Sequence, residues 1–163
     1  MKKVLILYDT MFGNTRKLAL ELATGIQQIE GITTKVGNGD TLEKEELSKY
    51  DAVLFGGPTR AFKATRGAMN TIKVAGKIGL AGKVVSTFGT FMAGNESRGV
   101  KGMDKKLRKL ARDAKVISPG FSAKVESPKG PIKAEEIPKA HEWARRFGRE
   151  VLEHTPQTLV QIA

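Results

Sequence analysis

The sequence predicts an α/β protein in which a parallel β-sheet carries helices on both faces. Short apolar runs alternate along the chain with segments whose apolar residues recur at helical spacing, and this strand-helix order is repeated five times. Strands that are apolar along their whole length are typical of a sheet that is buried on both sides, and such sheets are parallel. At 163 residues, we expect one domain, residues 1–155, and a C-terminal tail, residues 156–163.

The predicted elements follow in order. Glycine and proline mark most of their ends: Gly56, Gly57 and Pro58 end the third strand, Gly89 ends the fourth, and Pro119 and Gly120 break the fifth. The predicted strands are 3–8, 33–36, 52–55, 83–88 and 116–125, and the predicted helices are 15–26, 42–47, 65–74, 100–113 and 137–151. In the tail, Leu159, Val160 and Ile162 are expected to pack on the domain or on a second subunit, so both a monomer and a homodimer are open.

The composition excludes several classes of chemistry. There are no cysteines, so disulfides, thiolate catalysis and cysteine-held metals are excluded, and the two histidines argue against a histidine-rich metal site. The apolar run after Met1 stops at Asp9, which is too short for a signal peptide, and no later run approaches a membrane span. We therefore expect a cytoplasmic protein with no metal, no membrane and no nucleic-acid partner.

The first loop, residues 9–15, has the composition of a phosphate site. The hydroxyls of Thr10 and Thr15, with the backbone N–H groups between them, can surround a phosphate at the positive end of the following helix, and Gly13 lets the backbone approach closely. An alternative is that Asn14 or Thr15 simply caps that helix. The loop is neither a Walker A loop nor a GxGxxG motif.

This loop resembles the phosphate loop of the flavodoxin family, which ends in Gly-Asn-Thr after an earlier hydroxyl residue. The segments Gly57-Pro58-Thr59 and Phe88-Gly89-Thr90-Phe91 stand where flavodoxins hold the isoalloxazine ring. No long insertion interrupts the fifth strand, so the chain resembles the short-chain form. The resemblance implies the flavodoxin-like strand order 2-1-3-4-5, non-covalently bound FMN, and electron transfer without catalytic side chains.

The resemblance also assigns roles by position. Side chains of Thr10, Asn14 and Thr15, and N–H groups of Met11, Phe12 and Gly13, would bind the FMN phosphate. Phe62 and Phe91 would stack on the flavin, with core packing as the alternative role. The residues expected to enclose the ring are Pro58, Thr59, Arg60, Ala61, Phe62, Gly89, Thr90, Phe91, Met92 and Gly94.

Two departures from the family pattern change the expected chemistry. Many flavodoxins carry an aromatic-glycine pair where this chain has Arg60-Ala61, and alanine resists the turn that a flipped peptide needs by about 1 kcal/mol. The half-reduced flavin should then be less stabilised, which favours two-electron chemistry. The formal net charge is +11, and no acidic residue lies between Asp51 and Glu96, whereas that stretch holds Arg60, Lys63, Arg66, Lys73, Lys77 and Lys83.

A basic flavin rim would attract an acidic redox protein or an anionic small molecule. A solubility role, or the surface of a thermophilic protein, also accounts for the charge. The leading hypothesis is an FMN-binding electron carrier. The alternatives are an FMN-dependent NAD(P)H:quinone oxidoreductase, whose family has a run close to Pro58-Thr59-Arg60, and a non-redox basic binding module.

Overall fold

A computed structural model describes residues 1–156, so most of the expected tail, including Leu159, Val160 and Ile162, lies outside the described residues. Strands and helices alternate as predicted. The strands are β1 (Lys2–Tyr8), β2 (Ile32–Asn38), β3 (Ala52–Arg60), β4 (Lys63–Ala64), β5 (Val84–Phe91), β6 (Lys115–Val116) and β7 (Phe121–Lys124). The helices are α1 (Asn14–Gln27), α2 (Lys44–Ser48), α3 (Arg66–Ile78), α4 (Arg98–Leu110) and α5 (Glu136–Glu153).

The sheet is doubly wound and its main strands are parallel. Its order is β2-β1-β3-β5-β6, and β7 also pairs with β5 in parallel, so β6 and β7 are two pieces of one outer strand. When β6 and β7 are counted as one strand and the short hairpin strand β4 is left out, the predicted order 2-1-3-4-5 is confirmed. The predicted break at Pro119 and Gly120 lies between β6 and β7.

Each face of the sheet has its own apolar core. On one face, α1 and α5 cover the sheet, and Trp143 stacks on Phe147 with ring centroids 5.5 Å apart. On the other face, α3 and α4 bury Ile72, Met103 and Leu107 against the sheet. In α1 the buried residues recur three and four positions apart, which is why this amphipathic segment folds as a helix against a flat apolar surface.

The predicted ends of the third and fourth strands were wrong. β3 passes through Gly56, Gly57 and Pro58, and β5 passes through Gly89. These glycines allow close approach of neighbouring groups: a Cβ on Gly56 would lie 2.1 Å from the Phe88 ring, and one on Gly89 would lie 2.7 Å from the Gly57 carbonyl oxygen. Consequently, several residues expected in loops lie on strands at the carboxyl edge of the sheet.

A buried carboxylate joins the two pieces of the outer strand to the rest of the fold. Asp104 on α4 accepts a hydrogen bond from the Thr87 hydroxyl and another, at 3.0 Å, from the backbone N–H of Gly120. The second bond holds in place the segment that connects β6 to β7. Burial raises the pKa of Asp104, against the opposing effects of these two hydrogen bonds and of Arg108.

Candidate functional site

A cavity of about 240 Å³ opens at the carboxyl edge of the sheet, where ligands bind in doubly wound folds. Four segments that are distant in sequence meet there: the loop after β1, the end of β3 with its hairpin, the end of β5 with the chain that follows it, and the chain after β7. The lining residues are Thr10, Met11, Phe12, Asn14, Thr15, Pro58, Thr59, Arg60, Ala61, Thr90, Phe91, Met92, Asn95, Val125 and Pro128.

Most of the residues predicted for the site therefore meet around one cavity. Four predicted residues, Gly13, Phe62, Gly89 and Gly94, do not line it. Three lining residues were missed by the sequence reasoning: Asn95, Val125 and Pro128. No motif marked these three, because each reaches the cavity only through the fold.

The N-terminus of α1 lies at this cavity and has no side-chain cap. Its N-cap is Gly13, at φ +89°, a left-handed conformation that favours glycine, and no acidic residue lies in the first turn. The alternative that Asn14 or Thr15 caps the helix is therefore wrong. Because the first amides of a helix lack intrahelical acceptors, this end is suited to an anion.

Hydroxyl groups shape the loop that leads into α1. The Thr10 hydroxyl oxygen accepts a 2.9 Å hydrogen bond from the Gly13 N–H and so closes the turn. The Thr15 hydroxyl, which is buried, lies 3.4 Å from the hydroxyl of Thr90 at the end of β5. This contact connects the helix start directly to the neighbouring strand end.

The side chain of Asn14 faces the loop after β7. Its Nδ2 donates a 3.1 Å hydrogen bond to the carbonyl oxygen of Pro128, and Asn14 as a whole is only 6% exposed. Its Oδ1 is buried and has no hydrogen-bond partner within residues 1–156.

The hairpin between β3 and β4 carries unusual backbone angles. Thr59 pairs with Ala64 and Arg60 pairs with Lys63, which leaves a two-residue turn with Ala61 at φ +48° and Phe62 at φ +67°. Both angles are positive, as a type I′ turn requires, so the expected resistance of alanine is overcome by the strand pairing on each side. The strain remains stored in the turn.

The aromatic side chains differ in their exposure. Phe91 lines the cavity and is 9% exposed, whereas Phe62 is 58% exposed and lies outside it. The guanidinium of Arg98 sits 5.3 Å from the centroid of the Phe62 ring, a cation–π contact. Met11 and Phe12 are also half exposed at the cavity.

One basic side chain lines the cavity, and two others follow it closely in the sequence. Arg60 lines it and contacts the Met11 sulfur, and Lys63 and Arg66 follow on the hairpin and at the start of α3. No arginine or lysine between residues 52 and 112 forms an ion pair with a carboxylate of the described chain. Lys83, by contrast, precedes β5 at the opposite edge, where it donates to the Tyr50 carbonyl and where burial lowers its pKa.

The cavity fits a ligand that carries an anionic group and a partly apolar body. The uncapped α1 terminus supplies donors for the anion, and Phe91, Met92 and Val125 supply apolar lining. FMN carries a phosphate and a flat aromatic ring, so its chemistry matches this set of residues. The Oδ1 atoms of Asn14 and Asn95 are buried and have no partner in residues 1–156, and that of Asn14 faces Gly130.

The described residues also bear on two other classes of site, a metal site and a membrane span. No group of three or more histidine or acidic side chains is arranged to hold a metal ion. None of the helices there combines the length and apolar character needed to cross a membrane.

Comparison with known proteins identifies the family. A family model described as a flavodoxin domain matches residues 5–123. A flavodoxin from Aquifex aeolicus is 39% identical over 59 residues, which cover 36% of this chain but only 32% of that relative's length.

Solved structures agree in fold. A flavodoxin from the domain Archaea superposes with a TM-score of 0.78 at 16% identity and covers 92% of this chain and 99% of its own. The flavodiiron protein from Giardia intestinalis superposes with a TM-score of 0.77 at 22% identity, over 94% of this chain and 37% of that one. The chain belongs to the flavodoxin family, whose cofactor is FMN.

Proposed function

We propose that this protein is an electron carrier that binds one FMN in the cavity at the carboxyl edge of its sheet and presents a basic rim to its redox partner. The observation that carries the proposal is the uncapped α1 terminus beside the two strand ends, because it places anion-binding amides next to a partly apolar cavity. Family membership supplies the cofactor.

At the phosphate end, backbone amides would do most of the binding. The amides of Met11 and Phe12 have no acceptor within residues 1–156, and those of the first turn of α1 add the helix dipole. The hydroxyls of Thr10 and Thr15 would donate further hydrogen bonds. Charge-assisted bonds of this kind are worth about 1.5–3 kcal/mol each, so the phosphate should dominate affinity.

At the ring end, apolar side chains would shield the flavin and leave one edge reachable. Bound FMN supplies the redox chemistry by accepting and releasing electrons. Phe91 provides a buried apolar wall, while the partly exposed Met92 and Phe12 border the opening. The protein contributes position, exclusion of water and charge, with no side chain that reacts.

The rim sets the proposed partner. Arg60, Lys63, Arg66 and Arg98 lie at the hairpin and at the starts of α3 and α4, and none forms an ion pair with a carboxylate of the described residues, while Glu96 lies close enough to Arg98 to interact with its charge. Such a surface favours an acidic redox protein and opposes a basic one. It also stabilises a negatively charged reduced flavin.

A second function, an NAD(P)H:quinone oxidoreductase, is favoured by one observation. Arg60 lines the cavity and extends to Met11 across it, where a guanidinium could hold the phosphates of a dinucleotide. Steady-state oxidation of NADPH with a quinone separates the two functions. Rapid turnover by the purified FMN protein alone would contradict the pure carrier.

The primary test is titration of the apoprotein with FMN and with riboflavin, in which the quenching of flavin fluorescence measures binding. We expect saturation at one FMN per chain, and an affinity for FMN at least ~100-fold higher than for riboflavin, from two or more charge-assisted phosphate bonds. Equal affinity for the two flavins would contradict the assignment of the phosphate to the α1 terminus. A protein that is colourless after incubation with excess FMN and removal of the unbound FMN would overturn the function itself.

A further inference from the structure

The segment Ser127–Pro131 connects β7 to the chain that leads into α5, and it packs against the start of α1. Pro128 and Val125 line the same cavity as Thr10 and Thr15. None of the motifs that carry the flavodoxin resemblance lies in this segment, which is rich in proline and glycine.

This segment is a compact loop with its own hydrogen bonds. Gly130 N–H donates to the Ser127 carbonyl at 2.8 Å, the Ser127 hydroxyl donates back to the Gly130 carbonyl at 2.7 Å, and Glu126 N–H donates to the Pro131 carbonyl at 3.0 Å. Val125 and Ile132 form an antiparallel bridge at its base. The loop is thus held as one unit, so a displacement of one residue shifts the others.

The carboxamide of Asn14 is the connection between this loop and the phosphate loop. Its Nδ2 donates to the Pro128 carbonyl, and a Cβ on Gly130 would lie 2.4 Å from its Oδ1. Gly130 also has φ +92°, where a side chain is strained. Both atoms of the amide group therefore face the loop, and the residue at 130 must be small for them to do so.

We infer that Ser127–Pro131 is a fourth wall of the FMN site, and that Asn14 acts as a positioning residue which couples this wall to the phosphate loop. The inference rests on the proposed function only in taking FMN as the ligand. If the Asn14 side chain instead bound the phosphate directly, the loop would have no effect on FMN affinity. Under the inferred coupling, a change in the loop alters FMN affinity although no loop residue touches the phosphate.

The test is a double-mutant cycle on flavin affinity with Asn14→Ala, Gly130→Ala and the combined variant. Loss of the Asn14 hydrogen bond, or displacement of the loop by a new Cβ, should each weaken FMN binding roughly tenfold and riboflavin binding much less. In the combined variant the clash with Oδ1 no longer exists, whereas the backbone strain at residue 130 remains, so we expect the loss of FMN affinity to be smaller than the sum of the two single losses.

Gly79→Ala is the matched control, because Gly79 also has a left-handed φ, of +121°, but a Cβ there meets nothing within 4 Å. It should leave both flavin affinities unchanged. Wild-type FMN affinity in Gly130→Ala, additive effects in the combined variant, or equal weakening for riboflavin would each overturn the inference. Failure of the wild-type protein to bind FMN would instead overturn the proposed function.

Hydrogen exchange on the unmodified protein provides a second measurement. FMN binding should slow amide exchange in residues 127–131 together with residues 10–15, because the two segments are held by one side chain. Slowing that is confined to residues 10–15 would contradict the coupling.

Discussion

Ala61 stores strain beside the proposed flavin ring, since its φ of +48° lies in a region that costs alanine about 1 kcal/mol or more. We predict that Ala61→Gly widens the separation between the two one-electron reduction steps of bound FMN. Glycine makes further orientations of this peptide accessible, and these can respond to the redox state of the flavin. Potentiometric titration followed by visible absorbance measures the separation.

Folding stability should change little in the same variant, because relief of strain is offset by the larger entropy of glycine in the unfolded chain. Ala81→Gly, an exposed position that precedes β5, is the control and should leave the separation unaltered. An unchanged separation in Ala61→Gly would show that the strained turn has no part in tuning the flavin.

We predict that Asp104 makes the free energy of unfolding depend on pH. Burial raises the folded-state pKa of this carboxyl above 3.8, so the folded chain holds the proton at higher pH than the unfolded chain does. The stabilisation from protonation is therefore complete below about pH 4 and is lost as the pH rises through the raised pKa. Asp104→Asn cannot titrate, so wild type should gain stability relative to this variant as the pH falls from 7 towards 4.

Urea unfolding at a series of pH values measures this difference. Exposed Asp40→Asn is the control for removal of a charge. A wild-type-to-variant difference that stays constant, or that moves in the other direction, would contradict the assignment. Asp104→Ala should cost about 1–3 kcal/mol at neutral pH, because the Gly120 N–H loses its acceptor in a mostly buried place.

At the scale of the elements, replacing a glycine by alanine should have opposite effects on folding stability in helices α1 and α4. A Cβ on Gly25 of α1 would lie 2.6 Å from the Ala144 Cβ of α5, whereas a Cβ on Gly102 of α4 meets nothing within 4 Å. We predict that Gly25→Ala destabilises the fold by about 1–3 kcal/mol through overpacking. Gly102→Ala should stabilise it by up to about 1 kcal/mol through helix propensity.

Thermal and urea unfolding of the two variants test this pair. Equal effects would mean that α1 and α5 do not pack as closely as described. The flavin affinity of Gly102→Ala should equal that of wild type, since no residue of α4 lines the cavity.

The sequence was sufficient to predict the order of elements and the strand order, because periodicity reports which faces are buried. The prediction failed at glycines, because glycine occurs both in turns and inside strands where another group approaches the backbone closely. Gly56 and Gly89 were interpreted as strand ends, but they lie inside strands where a ring or a backbone atom approaches closely. Local composition cannot distinguish a turn from such a contact. The hairpin of β3 and β4 was missed for a related reason, because Arg60-Ala61-Phe62-Lys63 contains no glycine or asparagine to mark its turn.

The candidate site divides in the same way. The loop of residues 10–15 could be singled out from the sequence because its residues are contiguous, and five of the six line the cavity. Asn95 and Pro128 could not be predicted, because they reach the cavity only when the chain after β5 and after β7 folds back towards α1. The stacking of Phe62 on the ring stays a prediction; its side chain contacts Arg98 and does not line the cavity.

At the scale of the whole molecule, the basic charge proposed around the flavin should control how fast charged reagents react with the reduced flavin. We predict that the anion ferricyanide reacts faster at low ionic strength and slows as salt is added, whereas the cation hexaammineruthenium(III) shows the opposite trend. Stopped-flow oxidation of the reduced protein measures both rates.

Arg60→Gln and Arg98→Gln should weaken both trends, while Lys77→Gln, in the last turn of α3, should not. α3 ends just before β5 begins, so this substitution removes one positive charge at the edge of the sheet opposite the cavity. Equal salt dependence for the two reagents would contradict a basic rim around the flavin.

The divided outer strand has a consequence for how copies of this protein meet. An outer strand normally presents an unbroken row of backbone donors and acceptors to which another chain can add. Here that row is reduced to a two-residue piece and a four-residue piece, and the Gly120 amide between them is already bound to Asp104. Concentrated solutions of the folded protein should therefore resist strand-by-strand growth along this side of the sheet.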